Sequence, residues 1–275
     1  MPVPLIPLND NHSIPQLGFG VFKVDPDVTQ AAVEAALAAG YRHIDTATGY
    51  ANEAAVGAAI RASGIARDDL FVTTKLANPD HRAGDFRGAY ERSLAALDLG
   101  YINLYLIHWP MPAVDHYVEA WDEFIRFREE GLVNSIGVSN FQIPQLEAII
   151  GASGVVPAVN QVELHPVFQE RELRGFHQAH GIVTEAWGPL GQGRWPLDAY
   201  PAITTAAGAH GKSPAQVILA WHLQQGRVVI PKATNPAHLV DNFDIFDFTL
   251  SEGEMAAIDA LDTNQRLGTD PYNNN

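Results

Sequence analysis

The sequence contains no cysteine, which excludes disulfides, thiolate nucleophiles, iron–sulfur clusters and zinc sites built on thiolates. It is also poor in positive charge: 17 Lys and Arg residues face 32 Asp and Glu residues, for a net charge of −15. Nucleic acids and anionic membrane surfaces are bound through basic patches. The charge balance therefore argues against both kinds of partner, although an anionic small molecule needs only a few local cations.

Long apolar runs are absent as well. No stretch reaches the roughly 18 residues that a membrane-spanning helix requires, and the first residues show neither the basic nor the apolar region of a signal peptide. With 47% hydrophobic and 18% charged residues, the composition is that of a folded globular chain. Together with the lack of cysteine, these features predict a cytoplasmic protein.

Short β-branched runs alternate with alanine-rich segments of helical period along the whole chain. The predicted strands are 17–22, 43–45, 70–75, 104–108, 135–139, 158–163, 182–187 and 228–230. The predicted helices are 29–39, 53–62, 87–97, 117–130, 144–150, 171–180, 215–225 and 237–243, with extra helices at 202–210 and 253–261. Eight strands alternating with helices favour an α/β fold, a (β/α)₈ TIM barrel that forms a single domain over residues 1–275.

Two further local patterns bear on the fold. Residues 5–14 read as an N-terminal β-hairpin around a polar turn, which would plug the bottom of a barrel. The glycine pattern of a Rossmann fold is missing. Gly211-Lys212-Ser213 resembles the end of a phosphate-binding loop, but Ser213 with Gln216 three residues later predicts a helix-capping box instead.

Polar and amphipathic residues stand where the predicted strands end. They are Asp45, Lys75, His108, Ser139, Asn140, Gln161, Trp187 and Lys232. Each one alone has an ordinary structural explanation, such as a helix cap or a solvated strand end. In a (β/α)₈ barrel, however, the strand ends share one mouth, where the chemistry of such barrels takes place.

The residue types at this mouth indicate carbonyl chemistry. Asp45 and Lys75 would pair, and a buried Lys75 beside Tyr50 is expected to lower the pKa of that phenol from about 10. Tyr50 would then donate a proton, and His108 would orient a substrate carbonyl. Because neither thiols nor a histidine-built metal motif is available, a nicotinamide is the expected source of electrons.

The sequence is identified as similar to the aldo-keto reductases by several segments. Residues 40–47, 106–110, 136–141, 160–163 and 186–193 read GYRHIDTA, LIHWP, IGVSNF, NQVE and AWGPLGQG. The likeness covers essentially the whole chain. Through residues 14–23 (IPQLGFGVFK) and 186–193 it is closest to the bacterial 2,5-diketo-D-gluconate reductases.

This resemblance implies a role for each matched position. Asp45, Tyr50, Lys75 and His108 form the implied catalytic tetrad, with Tyr50 as general acid. The implied cofactor-binding residues are Ser139, Asn140, Gln161, Trp187, Gly188, Leu190, Gly191, Gln192, Gly193, Ile230, Lys232, Ala233, Thr234, His238, Asp241 and Asn242. Phe22, Ala47, Trp109 and the C-terminal tail are implied to line the substrate pocket, and no metal is implied.

Two positions depart from the family pattern. Ala233 stands where the family has Ser or Thr, and His238 where it has Arg; the family uses both to hold the 2′-phosphate of NADPH. A hydroxyl donor and a bidentate cation are thus lost, while Lys232 remains. We expect NADPH as the cofactor, with weakened discrimination against NADH.

Two other functions stay open from the sequence alone. A Schiff-base aldolase would use Lys75 as its nucleophile, and a regulatory protein would hold the cofactor with little turnover. The expected partner is a small carbonyl substrate, with dicarbonyls, keto-sugar acids and aromatic aldehydes all open. The resemblance also implies a monomer.

Overall fold

The computed structural model describes residues 3–274. Met1, Pro2 and Asn275 lie outside this range, so the two ends of the predicted 1–275 domain are not described. No helix within the described range is long and apolar enough to cross a membrane.

Eight parallel strands form one sheet that closes on itself. In chain order, the strands of the structure are β1 Leu5–Pro7, β2 Ser13–Pro15, β3 Phe19–Gly20, β4 His43–Asp45, β5 Phe71–Leu76, β6 Ile102–Ile107, β7 Val133–Ser139, β8 Val159–Glu163, β9 Val183–Trp187 and β10 Val228–Val229. Strands β3 to β10 pair in sequence order. A parallel bridge between Leu17 and Val229 joins the first strand to the last. The predicted barrel is therefore confirmed.

Helices cover the outside of the barrel. They are α1 Pro26–Ala39, α2 Glu53–Ala62, α3 Asn78–Ala83, α4 Phe86–Leu97, α5 Tyr117–Glu129, α6 Ile143–Ser153, α7 Arg171–His180, α8 Pro201–His210, α9 Pro214–Gln224, α10 Pro236–Phe243 and α11 Glu252–Asp259. Their apolar faces and the outward faces of the strands form one large hydrophobic core.

Local sequence signals explain where several helices begin. The Ser213 side chain accepts from the Gln216 backbone N–H, and the Gln216 side chain accepts from the Ser213 backbone N–H. This is the predicted capping box, with Pro214 at the first helical position of α9. Asp25 caps α1 in a similar way, which starts that helix at Pro26, earlier than the predicted residue 29.

The N-terminal hairpin closes the bottom of the barrel as predicted. Strands β1 and β2 pair antiparallel. Leu8 and Ile14 pack with residues at the amino ends of the barrel strands, among them Phe71 and Leu104, in a second buried cluster. The opposite end, where the parallel strands finish, is left open for a site.

Two elements differ from the sequence prediction. The first barrel strand is only Phe19–Gly20, although residues 17–22 were expected to be extended throughout. The short helix α3 was not predicted; it begins after Ala77 with Pro79 in its first turn, and ends at Gly84 in the left-handed conformation.

Candidate active site

The four residues of the expected tetrad lie at the carboxyl end of the barrel. Asp45 is the last residue of β4 and Lys75 lies near the end of β5. Tyr50 ends a single 3₁₀ turn, Thr48–Tyr50, that directly follows β4, and His108 follows β6. Parallel neighbouring strands end at the same edge, and the barrel thereby brings together residues that are far apart in sequence.

Lys75 is fully buried and uses all three of its protons. Its Nζ donates to Asp45 Oδ1 at 2.7 Å, to Asp45 Oδ2 at 2.8 Å and to the Thr46 carbonyl oxygen at 2.8 Å. Burial disfavours the charged ammonium, but the Asp45 carboxylate outweighs it and the pKa of Lys75 is raised. An ammonium held in this way has no free lone pair, which argues against the aldolase alternative.

Tyr50 lies between this ion pair and the open cleft. The Lys75 ammonium is 5.2 Å from the centroid of the Tyr50 ring, and the rings of Phe22 and His108 lie at 5.0 and 5.6 Å. The hydroxyl therefore sits above a buried cation and beside an imidazole.

The pKa of Tyr50 shifts in the direction opposite to the one expected from the sequence. Burial raises it to about 12, and the Lys75 charge opposes this only in part. The physical reason is that burial disfavours the phenolate more strongly than the Lys75 charge favours it, and the Asp45 charge adds to the upward shift. The expectation of a lowered pKa was thus wrong, and Tyr50 holds its proton firmly at neutral pH.

His108 is neutral at physiological pH. Burial, followed by the Lys75 charge, lowers its pKa to about 3. A neutral imidazole can donate from one ring nitrogen and accept at the other. It can therefore orient a carbonyl group without adding a second cation to the site.

A cleft of about 960 Å³ opens directly over the tetrad. On its wall, Asn140 has a left-handed backbone with φ of 63°, and its Nδ2 donates to the His108 carbonyl oxygen at 3.0 Å. Asn140 Oδ1 accepts from Trp187 Nε1 at 2.8 Å, and Ser139 Oγ donates to the Gln161 carbonyl oxygen at 2.9 Å. The first two bonds hold the Trp187 indole and the Asn140 amide in fixed positions on one wall.

Residues 16–263 match the aldo/keto reductase family. The chain belongs to this family. It is 48% identical over 268 residues to the protein named methylglyoxal reductase DkgA of Yersinia pestis, and the match covers 98% of this chain and 96% of that one. Two crystal structures are also similar. The aldo/keto reductase from Brucella melitensis is 53% identical with a TM-score of 0.90, covering 94% of this chain and 100% of that chain. A mutant of Gox0644 in complex with NADPH is 44% identical with a TM-score of 0.94, covering 100% of both chains.

The chain is therefore an oxidoreductase that reduces carbonyl groups, as the sequence motifs predicted. Most of the residues expected at the site line the cleft of this reductase: Phe22, Asp45, Tyr50, His108, Trp109, Ser139, Asn140, Gln161, Trp187, Gly188, Leu190, Gln192, Gly193, Ile230, Lys232, His238, Asp241 and Asn242. Lys75 lies beneath them. Ala47, Gly191, Ala233 and Thr234 do not form part of the lining.

The loop after Trp187 folds as a shallow cradle. Gly188, Gly191, Gln192 and Gly193 all have positive φ, between 53° and 72°. Glycine adopts this region without strain, which explains three glycines in so short a loop. Among residues 3–274, no group of three or more His, Asp or Glu side chains could hold a metal ion.

The C-terminal tail lines the cleft, as the resemblance implied. Gly268 and Thr269 belong to the lining, and the backbone N–H of Gly268 donates to the buried Glu163 carboxylate at 2.9 Å. Sequence reasoning missed Glu185. Glu185 lies inside the barrel, below Trp187. A sequence signal for Glu185 did exist: it stands two residues before Trp187 in the same strand, and residues so spaced share one face.

Proposed function

We propose that this reductase converts small aldehydes, ketones and dicarbonyls to alcohols, with NADPH as hydride donor and Tyr50 as general acid. The observation that carries the proposal is the Tyr50 hydroxyl, which faces the cleft beside neutral His108 and above the fully paired Lys75. A donor that is protonated at neutral pH can supply the proton that the new alcohol needs.

The residues present fit a nicotinamide dinucleotide. The cleft is large enough for a cofactor, and its wall combines the Trp187 ring with the amides of Asn140 and Gln161. The glycine loop of residues 188–193 offers backbone to a pyrophosphate, and Lys232 is an exposed cation at the other end of the cleft. When bound, NADPH supplies the hydride to the substrate carbonyl carbon.

The protein's own groups then control the carbonyl oxygen. His108 orients it through a hydrogen bond, and Tyr50 gives up its proton as negative charge develops there. The buried Lys75–Asp45 pair faces the phenolate that remains on Tyr50. The Lys75 charge acts to lower the pKa of Tyr50, but burial raises that pKa by a larger amount.

The substrate we propose is a small dicarbonyl of the methylglyoxal kind, with keto-sugar acids as a wider class. This proposal is supported by the relative from Yersinia pestis, which is named a methylglyoxal reductase and is 48% identical over nearly the full length of both chains. The mouth of the cleft is partly apolar, with Phe22 and Trp109 beside Tyr50. We also expect a monomer, which size-exclusion chromatography tests.

The cofactor preference that we propose is based on two positions close to Lys232 in the chain: His238, which lines the cleft, and Ala233, which does not. Ala233 has no hydroxyl, and His238 lacks the forked guanidinium that grips a phosphate bidentately. Lys232 remains as a cation in the lining. We therefore propose that NADH is used as well as NADPH, with a moderate preference for NADPH.

The test is the rate of NADPH and NADH oxidation by the purified protein with methylglyoxal. Turnover with NADPH supports the reductase function, and no turnover by folded protein refutes it in favour of a regulatory cofactor-binding role. An NADH efficiency about 10³-fold below that of NADPH would refute the mixed preference.

The paired variant Ala233→Ser/His238→Arg sharpens this test. It restores a hydroxyl and a charged fork, and hydrogen bonds to charged groups contribute about 1.5–3 kcal/mol, so the NADPH-to-NADH efficiency ratio should rise about tenfold or more. Val240→Arg is the control, because it adds the same charge to an exposed position of α10 that does not line the cleft. An equal rise in the control would mean that bulk charge, not phosphate contact, sets the preference.

A further inference from the structure

A third carboxyl group lies in the barrel interior beneath the tetrad. Glu185 is in the middle of β9 and is 0% exposed. It pairs in register with Gln161 of β8 on one side and with Val228 of β10 on the other. Since Trp187 is two residues further along the same strand, Glu185 lies one layer below it, on the same face.

Glu185 is tied to Asp45 through one amide group. Gln161 Nε2 donates to Asp45 Oδ2 at 2.8 Å and to Glu185 Oε2 at 3.0 Å. Glu185 Oε1 has no hydrogen-bond partner among the described residues. Asp45, in contrast, receives two further bonds from the Lys75 ammonium.

The charges around Glu185 leave it without a counterion of its own. The titratable groups that interact with it are His43 and Asp45 from β4, Lys75 from β5, and Tyr50 from the turn after β4. Its two neighbouring strands contribute the uncharged Gln161 and the apolar Val228.

His43 does not act as that counterion. Its Nε2 lies 3.8 Å from Glu185 Oε1, and burial lowers the pKa of His43 to about 3, so that it is neutral. Two buried carboxyl groups thus share one ammonium, which Asp45 already holds. An ionised Glu185 would leave a buried charge with one unpartnered oxygen, and that is costly.

We propose that Glu185 is a positioning residue for the reduction: its carboxyl oxygen holds the Gln161 amide against Asp45 below the cleft, and its ionisation in alkaline solution suppresses turnover. This inference rests on the proposed function, in which Gln161 contacts the cofactor and Tyr50 donates the proton. Glu185 itself touches neither substrate nor cofactor and acts through Gln161 and Tyr50.

The sign of the pH effect follows from the surroundings. Burial, and then the Asp45 charge, raise the pKa of Glu185 to about 8. At pH 7 the carboxyl is mostly neutral, whereas one pH unit above its pKa only about one tenth remains protonated. The ionised form raises the pKa of Tyr50 and makes that phenol a weaker proton donor. Tyr50 itself, with a pKa of about 12, does not titrate in this range.

The experiment compares kcat at pH 7 and pH 9 with saturating NADPH and methylglyoxal. In the wild-type enzyme kcat should fall to about one tenth. Glu185→Gln has the same shape and an acceptor oxygen but cannot ionise, so its kcat should change less than about twofold. Glu147→Gln is the control: Glu147 is exposed on α6, and this variant should keep the full wild-type decline.

A second variant distinguishes the effect of Glu185 ionisation from its effect on the position of Gln161. It also replaces Glu185→Gln in the test if that variant does not fold. Glu185→Met also cannot ionise, so its pH profile should be equally flat. It offers Gln161 no acceptor, however, and should weaken NADPH binding several-fold in a titration of tryptophan fluorescence. A merely structural role would change the stability of both variants without flattening their pH profiles.

The outcomes distinguish this inference from the function on which it rests. A tenfold alkaline decline in either folded variant overturns the inference, as does a wild-type kcat that stays constant up to pH 9; both leave the reductase function intact. Absence of wild-type turnover at pH 7 overturns the proposed function and the inference with it.

Discussion

Replacing Asp45 with Asn removes the carboxylate that receives two of the three protons of the Lys75 ammonium. Lys75 is 0% exposed, and it keeps its hydrogen bond to the uncharged backbone carbonyl of Thr46. Removing one partner of a buried ion pair costs about 3–5 kcal/mol, because the other charge is left uncompensated. We expect the free energy of unfolding at pH 7 to fall by about this amount.

The same variant should respond to pH in a definite direction. In the wild type, burial acts to lower the pKa of Lys75, but Asp45 overrides this and the net shift is upward. Without Asp45 burial is the largest effect left, opposed by the charges of Tyr50 and Glu185, so the pKa of Lys75 in the folded variant should fall below its value in the unfolded chain. The unfolded state then binds more protons, and the stability of the variant rises with pH. The difference in the free energy of unfolding between the wild type and the variant should therefore become smaller between pH 7 and pH 9.

Urea unfolding followed by tryptophan fluorescence at both pH values measures these effects. The double variant Asp45→Asn/Lys75→Met leaves no buried ammonium and should be more stable than Asp45→Asn alone. Asp98→Asn is the matched control, because Asp98 pairs with Arg61 on the surface and its loss should matter far less. The reasoning would be refuted if Asp45→Asn lowered the free energy of unfolding by less than about 1 kcal/mol, or if the double variant were less stable than Asp45→Asn alone.

Two other variants test the cleft. Tyr50→Phe removes only the hydroxyl, so kcat should fall about 10²–10⁴-fold while the Kd for NADPH stays within about twofold; a kcat within tenfold of the wild type would remove Tyr50 from the acid role. Gly268→Ala places a Cβ against Trp187 Cη2 and 2.6 Å from Glu163 Oε2, so it should cost about 1–3 kcal/mol and weaken NADPH binding. Gly208→Ala in α8 meets open space and should stabilise the protein slightly; equal melting temperatures for the two alanine variants would contradict the contact between tail and Trp187.

Much of the fold was predictable because its signals are local. The alternation of strands and helices, the capping box at Ser213 and the polar strand ends each depend on residues a few positions apart. Given the barrel, the convergence of Asp45, Lys75 and His108 follows, since parallel strands finish at a common edge. The tetrad and most of the cleft lining were therefore visible in the order of residues.

The remaining features depend on contacts across long separations. Gln161 and Asp45 are 116 positions apart, and Gly268 and Glu163 are 105 apart, yet both pairs are hydrogen-bonded. No local pattern indicates that Gln161 bridges two carboxyl groups or that Gly268 is the tail residue that binds Glu163.

The residue order alone determined the barrel, the positions of the chemical groups at its mouth and the reductase family, because periodicity and motif spacing are properties of the chain itself. Only the tertiary structure decided how those groups are charged. The shift in the pKa of Tyr50 and the neutral state of Glu185 result from the balance between lost hydration and nearby charges. That balance exists only once residues from several strands have been packed together and water has been excluded.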